Sequence, residues 1–163
     1  MLDDLKTHQA SPPLFENVTE GRRRNMQANR SKNTRPELTV RSMLHAMGYR
    51  FRVHFKDLPG CPDIVFTARR LAVQVHGCFW HGHGCHPLGQ LPKTRVEYWG
   101  PKISRNRARD ANNEAALAAL GWGSIVLWEC SIRSDPGRVR RQLVGFLGPV
   151  RTGARQTRPV QLA

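Results

Sequence analysis

The chain reads as one α/β domain, a central mixed β-sheet flanked by helices, and three observations lead there. Its 163 residues suffice for one compact domain with a core and fall short of two ordinary ones. Apolar runs of strand character alternate with stretches of helical period, in the order α-β-β-β-α-β-α. The sequence shows no internal repeat, and no apolar run approaches the roughly 18 residues of a membrane span.

The elements follow in chain order. Thr34-Arg35-Pro36-Glu37 has the spacing of a capping box, and Val40, Met43, Leu44 and Met47 recur at helical intervals up to Gly48. YRFRVHF, residues 49–55, alternates like a strand, and LPGCP is a turn. DIVF and LAVQV are two apolar strands joined by the basic turn TARR, a hairpin-like pair with Asp63 at its start. Residues 102–120 are polar at first and apolar at Ala115, Ala116, Leu117, Ala119 and Leu120, then stop at Gly121, which predicts a long helix. SIVLWEC predicts a strand, and a last helix runs from Asp135 or Pro136 to Phe146 with Val139, Leu143, Phe146 and Leu147 inward. Residues 1–20 mix Pro, Ser, Asn and charges without a period, and residues 151–163 carry three Arg and no acid, so both ends are expected to be flexible. The expected domain is 21–150, and it begins with a basic arm, GRRRNMQANRSKN, over 21–33.

Lys and Arg number 26 against 12 acids, a net charge of +14. Such a balance points to a polyanion, because Arg binds phosphates bidentately and gains from counterion release. MLDDLKTHQA lacks the basic-then-apolar order of a signal peptide, so the expected location is cytoplasmic. In a reducing compartment the four Cys read as thiolate ligands rather than disulfides.

In so basic a chain, acids that precede apolar elements need a reason. Asp63 follows Pro62 at the mouth of DIVF, and Glu37 lies in the first turn of the first helix. A carboxylate at a strand edge can hold Mg²⁺, although Asp63 also suits a turn and Glu37 a helix cap. Pro-Asp before a strand, with a second strand about ten residues on, resembles the PD-(D/E)xK nuclease core. The acid-x-Lys expected on that second strand is absent, and Gln74-Val75-His76 stands there instead.

The segment directly after it, GCFWHGHGC, is a candidate supplier of what is missing. Cys78, His83 and Cys85 have C-x4-H-x-C spacing, and with Cys130 of WEC they suit a tetrahedral Cys3His zinc site. Cys61 is a rival fourth ligand, and Cys130 can instead be an ordinary buried cysteine. His81 lies inside the bracket of ligands and is left free to take a proton from water; His76 can contact a phosphate or share that role. Phe79 and Trp80 are flanked by glycines and suit insertion between base steps, with Trp99 as a third platform. Core packing is the alternative for all three aromatics.

From about Asn25 to Cys130 the chain resembles the very-short-patch-repair (Vsr) endonucleases, relatives of the PD-(D/E)xK nucleases. The resemblance is carried by NMQANRSKNTRPE, LPGCPDIVF, VHGCFWHGHGC, TRVEYW, KISRNRARD and LGWGSIVLWEC. It implies a restriction-endonuclease-like fold and a Mg²⁺-dependent endonuclease that nicks one strand beside a T:G mismatch left by deamination of 5-methylcytosine. Asp63 would then ligate Mg²⁺ with the backbone carbonyl of Val75, Glu37 would act through a water, and His81 would be the base with His76 near the phosphate. Cys78, His83, Cys85 and Cys130 would hold structural zinc. Phe79, Trp80 and Trp99 would enter from the major groove and Met26 would reach the minor groove, with Arg30, Lys32, Lys102, Asn106 and Arg109 as further DNA contacts. A cytosine-5 DNA methyltransferase and mismatch-repair proteins would be functional partners of a monomer. Cys61 departs from the family pattern, as do the longer N-terminal arm and the C-terminal tail. Two other readings are a zinc-stabilised nucleic-acid-binding module in which Asp63 and Glu37 are structural, and a restriction-type nuclease cutting both strands of matched DNA.

Overall fold

The computed structural model describes residues 32–150 apart from 88, 92 and 94, together with 19–21 and 24. Met26, Arg30 and the tail from 151 lie outside the described residues. The chain divides into two compact units, Met1–Ser31 and Lys32–Ala163, and the second carries every element described below.

Helix α1 spans Arg35–Ala46, and both halves of the capping box form: Thr34 accepts from the Glu37 amide, and the Glu37 carboxylate accepts from the Thr34 amide. Four strands follow: β1 (Arg52–Val53), β2 (Ile64–Phe66), β3 (Leu71–His76) and β4 (Gly123–Trp128). The expected first strand shrinks to two exposed residues, because only Arg52 and Val53 find partners on β2. β2 and β3 form the expected hairpin, turning through a 3-10 segment, Thr67–Arg69, and a left-handed Arg70.

Helix α2 spans Val96–Ala119, six residues earlier than the sequence predicts. Gly100-Pro101 reads as a breaker, yet the helix runs through it and Pro101 sits inside. α2 carries the chain from β3 to β4, which pair in parallel, and the sheet order is β1-β2-β3-β4. β4 ends at Trp128, and WEC is not all strand: Glu129–Ser134 is a short helix, α3, with Cys130 in its first turn. α4 (Pro136–Leu147) is capped by the Asp135 side chain, which accepts from the Arg138 amide.

Side chains alternate across the strands and build a core on each face of the sheet. Ile64, Phe66, Val73, Val75 and Leu127 pack with Val40 and Leu44 of α1 and with Ile132, Val139, Leu143 and Leu147 of α3 and α4. Val65 and Ala72 face the other way, onto Leu58 and Leu117 of α2. A sheet covered on both faces explains why β2 is apolar at every position. Among the described residues no helix is long and apolar enough to cross a membrane.

Candidate active site and metal-binding clusters

Three groups of ligand-type side chains form among the described residues.

The first group is Glu37, His54 and Asp63, with one ligand atom from each within 4.8 Å of the others. Asp63 immediately precedes β2, and its Oδ2 accepts from the Val75 amide at 2.8 Å. In an extended strand a residue's N–H and C=O point to the same side. The Val75 carbonyl is therefore on the same edge of β3 as its amide, beyond Ile64↔Val73, where pairing with β2 ends. Burial pushes the Asp63 carboxyl up to about 6; the Val75 hydrogen bond opposes the rise and the nearby Glu37 adds to it. Glu37 is buried, and both of its oxygens are engaged. Oε1 accepts from Thr34 Oγ1 at 2.8 Å, and Oε2 accepts from the Asn33 amide at 2.9 Å and from Arg41 at 2.8 Å. His54 Nε2 lies 3.0 Å from Arg41 Nη2, and its pKa is lowered by burial and then by Arg41.

The second group is His76, His81 and Asp110. The His76 and His81 rings stack with centroids 3.8 Å apart, and the edge of His76 meets Trp128. His76 is buried and its Nε2–H donates to Gln74 Oε1 at 3.0 Å. Burial, followed by the neighbouring His81, lowers its pKa to about 4, so it is neutral at physiological pH. His81 Nδ1 lies 2.5 Å from Asp110 Oδ2. A carboxylate only accepts, so Nδ1 carries a proton, and in the neutral imidazole the lone pair is on Nε2.

The third group is Cys78, His83, Cys85 and Cys130. Cys130 joins the other three, and Cys61 is exposed and outside the cluster. Amides of His81 and His83 bond back to Gly77 and Cys78, winding the loop tightly. Gly82 sits at φ +63°, and a Cβ there would meet Ile103 Cγ2 at 2.7 Å. His83 turns Nδ1 to Cys130 Sγ at 3.4 Å and stacks on Trp128, and the Cys130 amide donates to Cys78 Sγ at 3.3 Å. Burial pushes the Cys78 thiol up to about 12. Burial also opposes a Cys130 thiolate, yet hydrogen bonds with Cys78, Cys85 and Ser131 bring that thiol below its usual value.

Phe79, Trp80 and Trp99 pack edge to face, with centroids 5.0–5.9 Å apart, and all three are half-buried. The Lys102 ammonium lies over the rings of Trp80, Tyr98 and Trp99 and donates to the Tyr98 hydroxyl at 3.0 Å. Asn106 donates to the Trp80 carbonyl at 2.8 Å. Arg109 is mostly exposed beside Asp110, and Lys32 is exposed at the start of the second unit.

Sequence reasoning missed His54, Arg41 and Asp110. Two signals were present: Arg41 is one helical turn past Glu37, and Asp110 is the lone acid between Lys102 and Arg109's flank and Glu114, one turn past Asn106.

A family model described as DNA mismatch endonuclease Vsr matches residues 17–87. The type II nicking enzyme V.XorIIP of Xanthomonas oryzae pv. oryzae is 62% identical over 130 residues, 80% of this chain and 94% of that protein. The DNA mismatch endonuclease Vsr of Escherichia coli is 41% identical over 112 residues, 69% of this chain and 71% of that protein. The type II nicking enzyme V.NaeI of Lentzea aerocolonigenes is 46% identical over 117 residues, 69% of each. Similarity at this level across most of a relative's length leaves one conclusion: the chain belongs to the Vsr family and is a DNA-nicking endonuclease.

Proposed function

We propose that the chain nicks one strand of duplex DNA next to a T:G mismatch, in a Mg²⁺-dependent hydrolysis that initiates very short patch repair of deaminated 5-methylcytosine. The observation that carries this reading is the His81–Asp110 pair stacked on His76, the residue after Val75, whose backbone faces Asp63.

The carboxylate group fits a hard cation. Asp63 Oδ2 is held by one amide, Oδ1 has no partner among the described residues, and the Val75 carbonyl turns to the same side. Asp63 and that carbonyl would hold Mg²⁺, and Glu37, whose oxygens already serve Thr34, Asn33 and Arg41, would reach it through a water. Bound Mg²⁺ would neutralise charge building on the scissile phosphate. His81 Nε2 takes the proton as water attacks phosphorus and the bond from phosphorus to one sugar oxygen breaks, that oxygen leaving with a proton from solvent, and Asp110 stabilises the imidazolium that results. His76, neutral and buried, fixes the His81 ring by stacking and borders the phosphate.

The Cys and His cluster fits zinc, since a tetrahedron with Zn–S bonds of about 2.3 Å has edges of roughly 3.8 Å and the four ligand atoms lie within 4.8 Å of one another. Such an ion would lock the loop that bears Phe79, Trp80 and His81. Those aromatics with Trp99 would stack beside the mismatch, Lys102 and Asn106 would lie against its base edges, and Lys32 and Arg109 would meet phosphates. Met26 of the arm would reach the minor groove, with Arg30 as a further DNA contact. The restriction-endonuclease-like fold, the division into 1–20, 21–150 and 151–163, the monomeric state, and the partnership with a cytosine-5 methyltransferase and mismatch-repair proteins belong to the same reading.

The test gives the purified chain and Mg²⁺ an end-labelled duplex with one T:G pair, beside its T:A twin. One strand of the T:G duplex should be cut and the T:A twin spared. Equal cutting of both duplexes, or of both strands, contradicts the mismatch reading, and full activity of Asp63→Ala contradicts the metal assignment.

A further inference from the structure

Arg41 lies against the carboxylate group and balances only part of its charge. Its Nη2 donates to Glu37 Oε2 at 2.8 Å and to His54 Nε2 at 3.0 Å, Nη1 donates to Asn33 Oδ1 at 2.6 Å, and the buried Nε has no partner among the described residues. The Arg41 and Glu37 side chains are only 13% and 4% exposed, so solvent screens this pair weakly. Asp63 forms no ion pair of its own among the described residues, and the charged groups acting on it are Glu37 and Arg41. Two carboxylates and one guanidinium thus leave a single net negative charge where a divalent cation would sit.

We propose that Arg41 restrains the cation affinity of the Glu37–Asp63 pair, so that the free protein holds a divalent cation weakly and a phosphate of bound DNA completes the site. The inference rests on the metal role proposed for Asp63. The physical reason is Coulombic: a buried positive charge within one side chain's reach of the cation opposes it at low effective dielectric, and a phosphate oxygen restores the missing negative charge. Metal loading then follows DNA binding, and the unbound enzyme carries little active metal.

A purely structural Arg41, an intrahelical partner for Glu37, makes a different forecast, and Mn²⁺ titration followed by electron paramagnetic resonance separates the two. The full chain is titrated without DNA, as wild type, Arg41→Gln, Arg41→Lys, Asn33→Asp and Asp63→Asn. Arg41→Gln should bind Mn²⁺ about tenfold tighter or more. Arg41→Lys keeps the charge and should stay within about twofold of wild type. Asn33→Asp leaves the guanidinium in place and cancels its spare charge, so it too should tighten binding, and it decides the matter if Arg41→Gln does not fold. Adding a T:G duplex should tighten Mn²⁺ binding more for wild type than for Arg41→Gln. Unchanged or weaker binding by Arg41→Gln and Asn33→Asp, with binding lost in Asp63→Asn, overturns the restraint. Undiminished binding by Asp63→Asn overturns the metal role itself, a separate failure.

Discussion

The carboxylate group and the Cys–His loop both bring ligand-type side chains within 4.8 Å, but they are built by different means. Glu37, His54 and Asp63 come from three segments, the start of α1, the turn after β1 and the head of β2, and only the finished fold brings them together. Three of the four Cys–His ligands come from eight consecutive residues, and only Cys130 arrives from elsewhere. Asp63 also bears an electrostatic cost, because burial resists its ionisation. A cation would relieve that cost, whereas in the loop it would supply the cross-link itself. On the proposed reading, chemistry falls to the carboxylate group and rigidity to the loop after β3.

The largest expected effect breaks the loop. Cys130→Ser should lower bound zinc, read by atomic absorption, and destabilise the chain by several kcal/mol, because a structural ion contributes folding energy directly. Undiminished zinc would mean that the four-residue cluster is not its site.

Next come the groups proposed to transfer the proton, His81 and Asp110. His81→Ala should slow single-turnover nicking roughly 10²- to 10⁴-fold. Asp110→Asn should slow it less and keep zinc, since it leaves His81 present and loses only its orientation. Equal rates for Asp110→Asn and wild type would remove Asp110 from the mechanism.

The cost of ionising Asp63 is testable through pH. Its folded pKa of about 6 lies above the usual 3.8, so the folded chain keeps a proton that the unfolded chain releases. Metal-free stability should therefore fall as pH rises from about 4 to about 6, by at most about 3 kcal/mol, and stay lower above that. His76, with a pKa depressed to about 4, pulls the other way over much of this range, so the informative quantity is the difference between wild type and Asp63→Asn. In EDTA the variant should gain on wild type across that window, and parallel stability curves would contradict the burial account.

Smaller effects probe the surface and path of the loop. Trp80→Ala should lose preference for T:G over T:A duplex more than it loses salt-dependent affinity, because phosphate contacts dominate the latter. Gly82→Ala should cost about 1–2 kcal/mol for a left-handed backbone, with Ile103 in the way of the added Cβ. Zinc should remain.

Much of this was legible in the sequence where the signal is local. The capping box of α1, the β2–β3 hairpin, the C-terminal stop of α2 and the start of α4 all rest on residues within a turn or two of one another. The start of α2 was not legible, because Gly100-Pro101 looks like an end and tertiary packing overrides it. Cys130 was placed on a strand because an apolar run does not say where strand yields to helix. Glu37 suits both a cap and a metal site by its sequence position, and its geometry serves the cap while lying beside Asp63. Asp110 lies 29 residues from His81, and His54 lies 13 from Arg41, so neither pairing leaves a mark at short spacing.

The most direct measurement of the division between chemistry and rigidity is the single-turnover nicking of a T:G duplex by Asp63→Asn, with zinc content and melting temperature read on the same sample. Nicking should fall to background while zinc stays at the wild-type level and the fold is at least as stable. Nicking near the wild-type rate, or loss of zinc along with activity, would contradict the account.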